Sequence, residues 1–507
     1  MNAAEHLLGA EALARHGARI AFHCEGDSLS YAEFAARVER AAAALAAFGV
    51  KPGERILLLL RDTPEFAAAW LGAVRAGAVA IGLNTKLSEQ EYRYIRADSE
   101  ARLAIIEDVF VRARPDLTAE LAREAKLVVA GEGSPSWREA LARAPAVPAF
   151  DARPEQPAFW LYSSGTTGRP KGIIHSHKDI PPAGQVQRDV FGLGPGDVVL
   201  TTSKLFFAYA LEMGFLGSLA IGATSVLNPD WPDIEPVAAL VARYAPTAFF
   251  SVPSFYRRLL ALPPDQLAAF RSVRRFVSAG ERMPAPVLEQ WRRATGCDIL
   301  GVYGMSETFC VCLATPPDQA TALRTGKPLA GVGTRLLTPE GREVPQGEPG
   351  VLWVRHPALA LGYANRPEQT AAQYKEGWFC TNDVFVRDAD GCFMHQGRSD
   401  ELVKIAGQYV QPGELEEAVA GEPAIAEAVC APVLDADGFE RLALFVTARG
   451  AEEAALSAAA RACEARLPRH KRPKWIRAVS ELPRTGTGKV QRFRLREMLE
   501  RELAGKG

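Results

Sequence analysis

Short apolar runs alternate with amphipathic helical stretches along the chain, and this alternation is the feature that most restricts its fold. Residues 55–60 have the pattern of a strand, residues 65–75 that of a helix, and residues 79–82 that of a second strand. This order is typical of a βαβ unit, in which a helix connects two parallel strands. Further along the chain, the same pattern predicts strands at 198–201, 225–227, 248–252 and 275–278 and helices at 254–261 and 285–294. The sequence therefore predicts an α/β fold with mostly parallel sheets flanked by helices.

From Gly341 onwards the pattern changes to short strands separated by turn residues, as at 350–354 and 377–379. We expect a β-rich subdomain in this part of the chain. The tail that follows has the pattern of helices at 412–420 and 452–467. These helices, together with short apolar runs between them, predict a small α+β domain.

The length of the chain also argues for more than one domain. A chain of 507 residues is too long for one compact core. We predict a large N-terminal domain over residues 1–396, a short connection over 397–400 and a small C-terminal domain over 401–507.

A run of small and hydroxyl-bearing residues with one lysine occupies residues 162–172. Its glycines let backbone N–H groups approach an anion closely, and they are Gly165, Gly168 and Gly172. Uncharged donors are added by four side chains, those of Ser163, Ser164, Thr166 and Thr167. Lys171 supplies a positive charge, but Pro170 before it and Gly172 after it exclude a Walker A loop. The run predicts a phosphate-binding loop of another nucleotide-using class, with a plain flexible linker as the alternative.

Composition excludes several other classes of protein. The 59 basic and 60 acidic side chains leave a net charge of −1, which gives no electrostatic footprint for nucleic acid or an anionic membrane. The N-terminus has no basic segment followed by an apolar one, so no secretory signal is visible. The uncharged stretch from 213 up to Asp230 is interrupted by glycines and predicts a buried helix followed by a strand. We therefore expect a cytoplasmic protein that binds neither nucleic acid nor membrane.

Four further motifs follow the hydroxyl-rich run in a fixed order. They are Tyr-Gly-Met-Ser-Glu-Thr at 303–308, Thr-Asn-Asp at 381–383, Gly-Arg-Ser-Asp at 397–400 and Arg-Thr-Gly-Thr-Gly-Lys at 484–489. With these five motifs the chain resembles the adenylate-forming superfamily, which includes acyl- and aryl-CoA ligases, peptide-synthetase adenylation domains and firefly luciferase. The resemblance extends from about residue 29 to about residue 496.

This resemblance implies an ATP site with Mg²⁺. Tyr303 would offer a flat face to the adenine, Asp383 would accept the ribose hydroxyls with help from Arg398, and Glu307 would hold the metal ion. The positions implied to bind the nucleotide are Ser163, Ser164, Gly165, Thr166, Thr167, Gly168, Lys171, Ala279, Gly280, Glu281, Tyr303, Gly304, Ser306, Asp383 and Arg398.

The resemblance also implies two successive reactions on one enzyme. Lys489 would be the catalytic lysine, bridging the acid's carboxylate and the α-phosphate while the acyl adenylate forms, and Glu307, the acid associated with Mg²⁺, would be the second catalytic residue. A small mobile C-terminal domain would then turn about a hinge at Asp400 and close a tunnel for CoA, with Gly407 leaving room for the thiol arm. A surface-loop acid at 400 and a plain turn glycine at 407 are the alternatives.

A second set of residues indicates which class of carboxylic acid the enzyme would activate. Phe207 stands where amino-acid-activating relatives carry an aspartate, which disfavours an amino-acid substrate. The segments 159–162, 204–210 and 277–281 are similar to those of benzoate–CoA ligases. By that similarity five residues would line the acid pocket, namely Ala208, Tyr209, Gly304, Cys310 and Val311. A pocket of this kind suits a small flat aromatic acid.

Departures from the benzoate–CoA ligase pattern leave the ring substituents open. Those enzymes carry histidine where this chain has Cys310, and Gly301 replaces a residue that is usually polar. Glu212 either contacts a ring substituent or has a structural role.

The sequence thus predicts an AMP-forming acid–thiol ligase that forms a carbon–sulfur bond with ATP, Mg²⁺ and CoA and acts on benzoate or a substituted benzoate. One alternative is an adenylating enzyme that loads a small aryl or cyclic acid onto a carrier protein. Another is a catalytically silent protein that retains the fold. A monomer or homodimer is expected from the resemblance.

Overall fold

The computed structural model describes residues 1–124, 126–130, 136–164, 169–321, 324–399, 403–405, 408–410, 412–435, 438–484 and 490–504. Seven residues that the sequence singles out lie outside this part of the chain, namely Gly165, Thr166, Thr167, Gly168, Asp400, Gly407 and Lys489.

The strands, in chain order, are β1 (Ile20–Cys24), β2 (Asp27–Ser30), β3 (Arg55–Leu59), β4 (Val79–Gly82), β5 (Leu103–Glu107), β6 (Lys126–Ala130), β7 (Pro157–Ser164), β8 (Pro170–Ser176), β9 (Val198–Thr201), β10 (Thr224–Leu227), β11 (Ala248–Ser251), β12 (Arg275–Ser278), β13 (Ile299–Tyr303), β14 (Leu313–Ala314), β15 (Lys327–Pro328), β16 (Gly333–Leu337), β17 (Pro349–Arg355), β18 (Gly362–Tyr363), β19 (Tyr374–Lys375), β20 (Trp378–Arg387), β21 (Phe393–Arg398), β22 (Val403–Ile405), β23 (Gln408–Val410), β24 (Ile425–Leu434), β25 (Glu440–Ala448) and β26 (Trp475–Ala478).

The α-helices are α1 (Ala3–Leu8), α2 (Ala10–His16), α3 (Tyr31–Ala47), α4 (Pro64–Arg75), α5 (Glu89–Ser99), α6 (Asp108–Ala113), α7 (Pro115–Glu124), α8 (Trp137–Arg143), α9 (Gln185–Asp189), α10 (Ala208–Leu211), α11 (Gly217–Ile221), α12 (Ile234–Tyr244), α13 (Pro253–Leu259), α14 (Pro264–Leu267), α15 (Ala285–Thr295), α16 (Pro367–Gln373), α17 (Pro412–Val419), α18 (Glu452–Arg466) and α19 (Arg492–Ala504). Tighter 3₁₀ turns occur at His177–Asp179, Ala268–Ser272 and Arg469–Lys471, and a wider π-helical turn at Glu212–Leu216.

The contacts divide the chain into two units. The first unit contains Met1–Thr334 and Val354–Phe379, and the second contains Arg335–Trp353 and Cys380–Gly507. The predicted domain limits at 396 and 401 stay a prediction.

A nine-stranded sheet in the first unit has the order β15-β14-β13-β12-β11-β9-β10-β1-β2. The strands from β13 to β1 are parallel to one another, whereas β14 pairs antiparallel with β13 and β2 pairs antiparallel with β1. Every residue of β11 is buried, as expected for a strand covered by helices on both faces. Trp291 of α15 packs edge-on against Phe276 of β12 and Tyr256 of α13, each with 5.0 Å between ring centres.

A seven-stranded sheet in the same unit has the order β18-β8-β7-β4-β3-β5-β6. Strands β7, β4, β3, β5 and β6 are parallel, whereas β8 pairs antiparallel with both β7 and β18. The predicted unit at 55–82 forms part of this sheet. Its helix α4 begins where the Thr63 side chain accepts from the Phe66 N–H and Pro64 occupies the first turn. The predicted α/β fold with mostly parallel sheets is confirmed.

The remaining sheets are smaller. One has the order β16-β17-β20-β19, with β21 pairing with β20, and corresponds to the predicted β-rich subdomain. In the second unit, β24, β25 and β26 form a three-stranded sheet and β22 pairs with β23. Helices α17 and α18 pack on one face of the three-stranded sheet through a cluster that includes Leu415, Leu444 and Ala459. This arrangement agrees with the predicted small α+β domain.

The uncharged stretch from residue 213 up to Asp230 contains most of the π-helical turn, helix α11 and strand β10. The predicted order of a buried helix followed by a strand is confirmed, whereas the π-helical geometry was not predicted. Among the helices within the described residues, none combines the length and apolar character that crossing a bilayer requires.

Candidate active site

The hydroxyl-rich run of residues 162–172 is partly a β-hairpin. Ser163 in β7 lies opposite Lys171 in β8, and Ser164 lies opposite Pro170. Gly172 also belongs to β8, where an added Cβ atom would lie 3.2 Å from side-chain atoms of both Trp160 and Tyr162. Residues 163–164 and 170–172 of the expected loop therefore belong to strands, and glycine at 172 has a packing reason.

Lys171, Glu307 and Tyr363 form a compact cluster, which we call the lysine–carboxylate cluster. The Lys171 Nζ donates to Glu307 Oε1 at 2.8 Å, and its distance to the Tyr363 hydroxyl oxygen is 3.1 Å. The Tyr363 hydroxyl donates to the same Glu307 Oε1 at 2.8 Å. The lysine and glutamate side chains are only 14% and 11% exposed. Sequence reasoning missed Tyr363, because a single tyrosine carries no spacing or motif that would reveal the contact.

The electrostatics of the cluster keep Glu307 ionised. Burial by itself would raise the pKa of this carboxyl, but the charge of Lys171 and the hydrogen bonds from Lys171 and Tyr363 act in the opposite direction, and the pKa is lowered overall. Glu307 is therefore a buried carboxylate that one ammonium group neutralises.

The donor chemistry at Glu307 suits Mg²⁺. This cation prefers hard oxygen ligands and is commonly held by one or two carboxylates together with substrate phosphates. Within the ranges that the structure describes, no group of three or more metal-ligating side chains exists. A single carboxylate such as that of Glu307 therefore fits an ion that arrives with a nucleotide, and does not fit a permanent protein-held metal.

Glu307 lies in a loop that joins β13 to β14, and hydrogen bonds close this loop at its base. The N–H of Cys312 donates to the carbonyl of Tyr303 at 2.8 Å. Inside the loop, the Thr308 hydroxyl donates to the carbonyl of Cys310 at 3.0 Å, and the Cys312 thiol lies 3.3 Å from the Thr308 oxygen. The segment 304–312, called the β13–β14 loop below, thus carries Glu307 and three of the predicted acid-pocket residues, Gly304, Cys310 and Val311, on one closed turn.

Phe309 gives the β13–β14 loop an unusual backbone. Its φ angle is +54°, in the left-handed region that a bulky residue rarely adopts and that costs about 1–3 kcal/mol. The buried ring packs edge-on against Phe159 at 5.1 Å and lies 5.9 Å from the His175 ring. This packing holds the reversal of the chain between Glu307 and Cys310.

Three of the five predicted acid-pocket residues, Gly304, Cys310 and Val311, lie together on the β13–β14 loop. An added Cβ atom on Gly304 would lie 3.2 Å from the Cα of Val311, so these two residues touch across the loop. The Val311 N–H is 3.1 and 3.3 Å from the two carboxylate oxygens of Glu212, and the Cys310 side chain also acts to lower the pKa of that carboxyl. Tyr209 lies one turn before Glu212, and its hydroxyl donates to the Val277 carbonyl at 3.2 Å.

Ala208, the fifth predicted acid-pocket residue, begins α10 immediately before Tyr209 and is half-buried. Glu212 begins the π-helical turn that follows this helix, and such turns are frequent at functional sites. Glu212 thus links the helical wall of the predicted pocket to the β13–β14 loop. The contact between Glu212 and Val311 supports a structural role for Glu212, which is one of the two roles that the sequence left open.

Glu212→Gln tests the environment of this carboxyl. Burial raises the pKa of Glu212 from 4.5 to about 8, although the Val311 N–H acts in the opposite direction. The folded state therefore holds a proton that the unfolded state releases, so stability is lost as pH rises from 4.5 towards 8. We expect thermal unfolding to show that the glutamine variant gains stability over the parent protein between pH 5 and pH 8. An equal difference at both pH values would contradict this assignment.

The residues predicted to contact adenine lie at one edge of the nine-stranded sheet. Ala279 follows β12 directly, Tyr303 ends β13, and the two strands are parallel neighbours. Gly280 adopts a φ of +85° and is exposed, as is Glu281. Because carboxyl ends of parallel strands meet at the same edge, where α/β proteins bind ligands, the sheet brings these two segments to one side.

The residues predicted to bind ribose are described within the second unit. Asp383 of β20 lies opposite Arg398 of β21, with 3.5 Å between its Oδ1 and the arginine Nη1. His395 approaches the same oxygen, with its Nε2 at 3.6 Å. The predicted association of Asp383 with Arg398 is present in the hairpin, and His395 is an additional neighbour that no motif indicated.

Two further residues that the sequence predicts to bind the nucleotide, Ser306 and Ser164, lie in the first unit. Ser306 is half-buried, and its carbonyl accepts from His175 Nε2 at 2.7 Å. Ser164 ends β7. The predicted site residues that contact one another therefore lie mostly on or beside the β13–β14 loop.

Comparison with known families gives two matches along the chain. Residues 9–364 match the family described as AMP-binding enzyme. Residues 414–489 match the AMP-binding enzyme C-terminal domain.

Similar proteins cover nearly the whole chain. The 3-hydroxybenzoate–CoA/4-hydroxybenzoate–CoA ligase of Thauera aromatica is 39% identical, with 99% of this chain and 98% of that protein aligned. The solved structure of the anthranilate CoA ligase AuaEII in complex with anthranoyl-AMP superposes with a TM-score of 0.92 at 32% identity, covering 99% and 98% of the two chains. A benzoate CoA ligase from Burkholderia xenovorans LB400 superposes with a TM-score of 0.89 at 32% identity, covering 98% of this chain and 100% of that one.

Proposed function

Because the chain belongs to the AMP-binding enzyme family, we propose that it is an AMP-forming ligase that joins a small aromatic carboxylic acid to CoA. In the first reaction the acid's carboxylate attacks the α-phosphate of ATP, an acyl adenylate forms and pyrophosphate leaves. In the second reaction the thiol of CoA attacks the acyl carbon, a thioester forms and AMP leaves. The preferred substrates are benzoate and substituted benzoates.

The observation that carries this proposal is the composition of the β13–β14 loop. One end of the loop presents Glu307 to Lys171, and the other end presents Cys310 and Val311 to Glu212. A phosphate-handling group and an acid-binding wall on one short loop suit a reaction in which a carboxylate attacks a phosphate. Such positioning supplies much of the catalysis in reactions at phosphorus.

We assign the nucleotide contacts as follows. Lys171, Ser163 and the residues between β7 and β8 bind phosphate, Tyr303 and Ala279–Glu281 enclose the adenine, and Asp383 accepts the ribose hydroxyls. Glu307 would hold Mg²⁺, which supplies charge neutralisation at the phosphates when bound. The ion pair in the cluster supports this assignment, because Lys171 and Glu307 are already charged and close together.

The acid pocket favours a flat ring over a long chain. Tyr209 and Val311 bound the pocket, and Phe207 beside it carries no charge to pair with an α-ammonium group. Cys310 is a small, buried thiol whose pKa burial raises further, so it is a neutral wall residue and not a nucleophile.

A survey of acids tests the function directly. We expect ATP–pyrophosphate exchange to be stimulated by benzoate, hydroxybenzoates or aminobenzoates, and AMP and an aryl-CoA thioester to accumulate when CoA is added. Long-chain fatty acids and α-amino acids serve as controls and should stimulate little exchange. Exchange without a thioester from free CoA, but with transfer to a phosphopantetheinylated carrier, would favour the carrier-loading alternative. Absence of exchange with every acid would refute the proposal.

For the second reaction we propose that Asp400 is a hinge and that Gly407 lines the path of the CoA thiol arm. Gly407→Leu should leave pyrophosphate release unchanged and abolish most thioester formation, because the added side chain would obstruct the arm. Gly413→Ala, in the exposed first turn of α17, is a control that should alter neither reaction. Unaltered thioester formation in the leucine variant would contradict the tunnel.

We further propose that the enzyme acts in the cytoplasm as a monomer or homodimer and binds neither nucleic acid nor membrane. Support comes from the near-zero net charge, which offers no extended basic surface to anionic polymers or lipids.

A further inference from the structure

His175 and Asp179 form a completely buried pair against the β13–β14 loop. His175 lies on β8, and Asp179 ends the 3₁₀ turn that follows this strand. The distance from His175 Nδ1 to Asp179 Oδ2 is 3.0 Å, and both side chains are 0% exposed. The reaction proposed above assigns no task to either residue, although burying two polar groups is unfavourable unless they are well paired.

Hydrogen-bond accounting fixes how many protons this pair holds. His175 Nε2 lies 2.7 Å from the carbonyl oxygen of Ser306, which can only accept, so Nε2 carries a hydrogen. Asp179 Oδ2 already accepts from the Ser176 N–H at 2.9 Å. The contact between Nδ1 and Oδ2 needs a second hydrogen, whether it resides on the ring or on the carboxyl. Either arrangement leaves the pair with no net charge, which suits its complete burial.

Aromatic packing fixes the orientation of the His175 ring. The ring stacks on Phe159 with 4.7 Å between centres and 9° between planes. On another side it meets Phe309, the residue with the left-handed backbone. Ser306 and Phe309 stand on either side of Glu307 in the sequence, so one imidazole contacts the chain before and after that carboxylate.

We propose that His175 is a positioning residue for Glu307, held in orientation by Asp179 and Phe159. Its Nε2–H fixes the Ser306 carbonyl, and its ring supports Phe309, so the intervening Glu307 is directed towards Lys171. The Cys310 thiol also donates to the backbone carbonyl of Asp179 at 3.9 Å, which ties the acid side of the loop to the same pair. This inference rests on the proposed function, since the carboxylate so positioned is the one assigned to Mg²⁺.

The variants that test this proposal separate hydrogen bonding from packing. His175→Phe keeps a ring against Phe159 but removes both hydrogen bonds. Asp179→Asn can keep the bond to Ser306, because an amide N–H that donates to His175 Nδ1 leaves the ring hydrogen on Nε2. The Ser176 N–H, which uses the same carboxylate oxygen in the parent protein, then loses its acceptor, so this variant is expected to lose stability and not the orientation of Ser306. His175→Gln keeps one N–H able to reach the Ser306 carbonyl. The matched control is His177→Phe, because His177 is equally buried but accepts from the Ala3 N–H and touches a different segment.

Two measurements provide the readouts. One is the affinity for Mg²⁺ of protein saturated with a non-hydrolysable ATP analogue, measured by titration calorimetry. The other is acid-stimulated ATP–pyrophosphate exchange as a function of Mg²⁺ concentration. Removing a group that orients a metal ligand typically lowers metal affinity or activity about 10–100-fold, and we expect a loss of this size in His175→Phe. Asp179→Asn and His177→Phe should keep the parent affinity within about threefold, and His175→Gln should recover part of it.

The outcomes distinguish this inference from the function on which it rests. If no acid stimulates ATP–pyrophosphate exchange in the parent protein, the proposed function itself is refuted. An active parent protein with unchanged Mg²⁺ affinity in His175→Phe would overturn the positioning role. A loss in Asp179→Asn as large as that in His175→Phe would also overturn it, because the hydrogen bond to Ser306 would then not be the decisive contact. If His175→Phe fails to fold, the same two readouts are compared between His175→Gln and Asp179→Asn. A lower Mg²⁺ affinity in His175→Gln than in Asp179→Asn would support the positioning role, and equal affinities would overturn it.

Discussion

Lys171→Met should destabilise the protein by about 3–5 kcal/mol, the typical effect of removing one partner from a buried ion pair. Lys171 and Glu307 are mostly buried, and their charged atoms are 2.8 Å apart. Without the ammonium group, the Glu307 carboxylate keeps only the Tyr363 hydroxyl as a donor among its contacts in the cluster. Urea unfolding at pH 7 measures the loss. Because the uncompensated carboxyl would take up a proton, the defect should lessen as pH falls.

The matched control for this prediction is the double variant Lys171→Met/Glu307→Gln. It removes both charges while preserving the approximate volume of the pair, so most of the lost stability should return, whereas adenylation should not. Two variants that are equally unstable would show that the lysine contributes through packing and not through charge. A stable Lys171→Met variant would contradict the importance of the ion pair altogether.

Lys489→Ala should abolish most adenylation, with a loss of about 10²–10³ in rate. This is the usual effect of removing one preorganised group that stabilises developing charge. Lys489 lies outside the described residues, and its role rests on the Gly/Thr-rich motif at the end of the chain and on family membership. The expected loss is confined to the first reaction, because we propose that the lysine bridges the carboxylate and the α-phosphate only while the adenylate forms.

A presynthesised aryl adenylate separates the two reactions for this variant. We expect the variant to convert the adenylate and CoA to thioester at nearly the parent rate. Lys474→Ala is a suitable control, since Lys474 pairs with Asp435 in the same C-terminal part of the chain and has no proposed chemistry. Equal loss in both reactions of Lys489→Ala would refute the assignment of the lysine to adenylation.

Much of the fold could be predicted because local patterns determined it. The predicted strands at 198–201 and 275–278 are β9 and β12, and the predicted helix at 285–294 is α15, which ends one residue later. These segments have apolar residues at the period of their structure and turn residues at their ends. Buried parallel strands of this kind differ strongly in composition from the amphipathic helices that connect them.

The hairpin of β7 and β8 could not be predicted in the same way. Its serines, glycines and lysine suggest a loop, and β-pairing depends more on context than on composition. The π-helical turn at Glu212–Leu216 is equally hidden, because no period in the sequence distinguishes it from the helices on either side.

The chemistry of the candidate site was predictable only where motifs mark it. Glu307 and Asp383 are identified by their motifs, whereas Tyr363, His175 and His395 acquire their significance from segments far away in sequence. A buried histidine is most often a satisfied core residue, so sequence gives no reason to prefer His175 over His177. The hydrogen bond to Ser306 makes that distinction.

The β13–β14 loop has a consequence for protein engineering. We propose that Cys310 and Val311 line the acid pocket, and they follow the backbone reversal at Phe309, next to Glu307. From these proposals we expect a library of substitutions at the two positions to vary metal dependence together with substrate choice. Screening each variant at limiting as well as saturating Mg²⁺ would recover variants whose new specificity would otherwise be mistaken for inactivity.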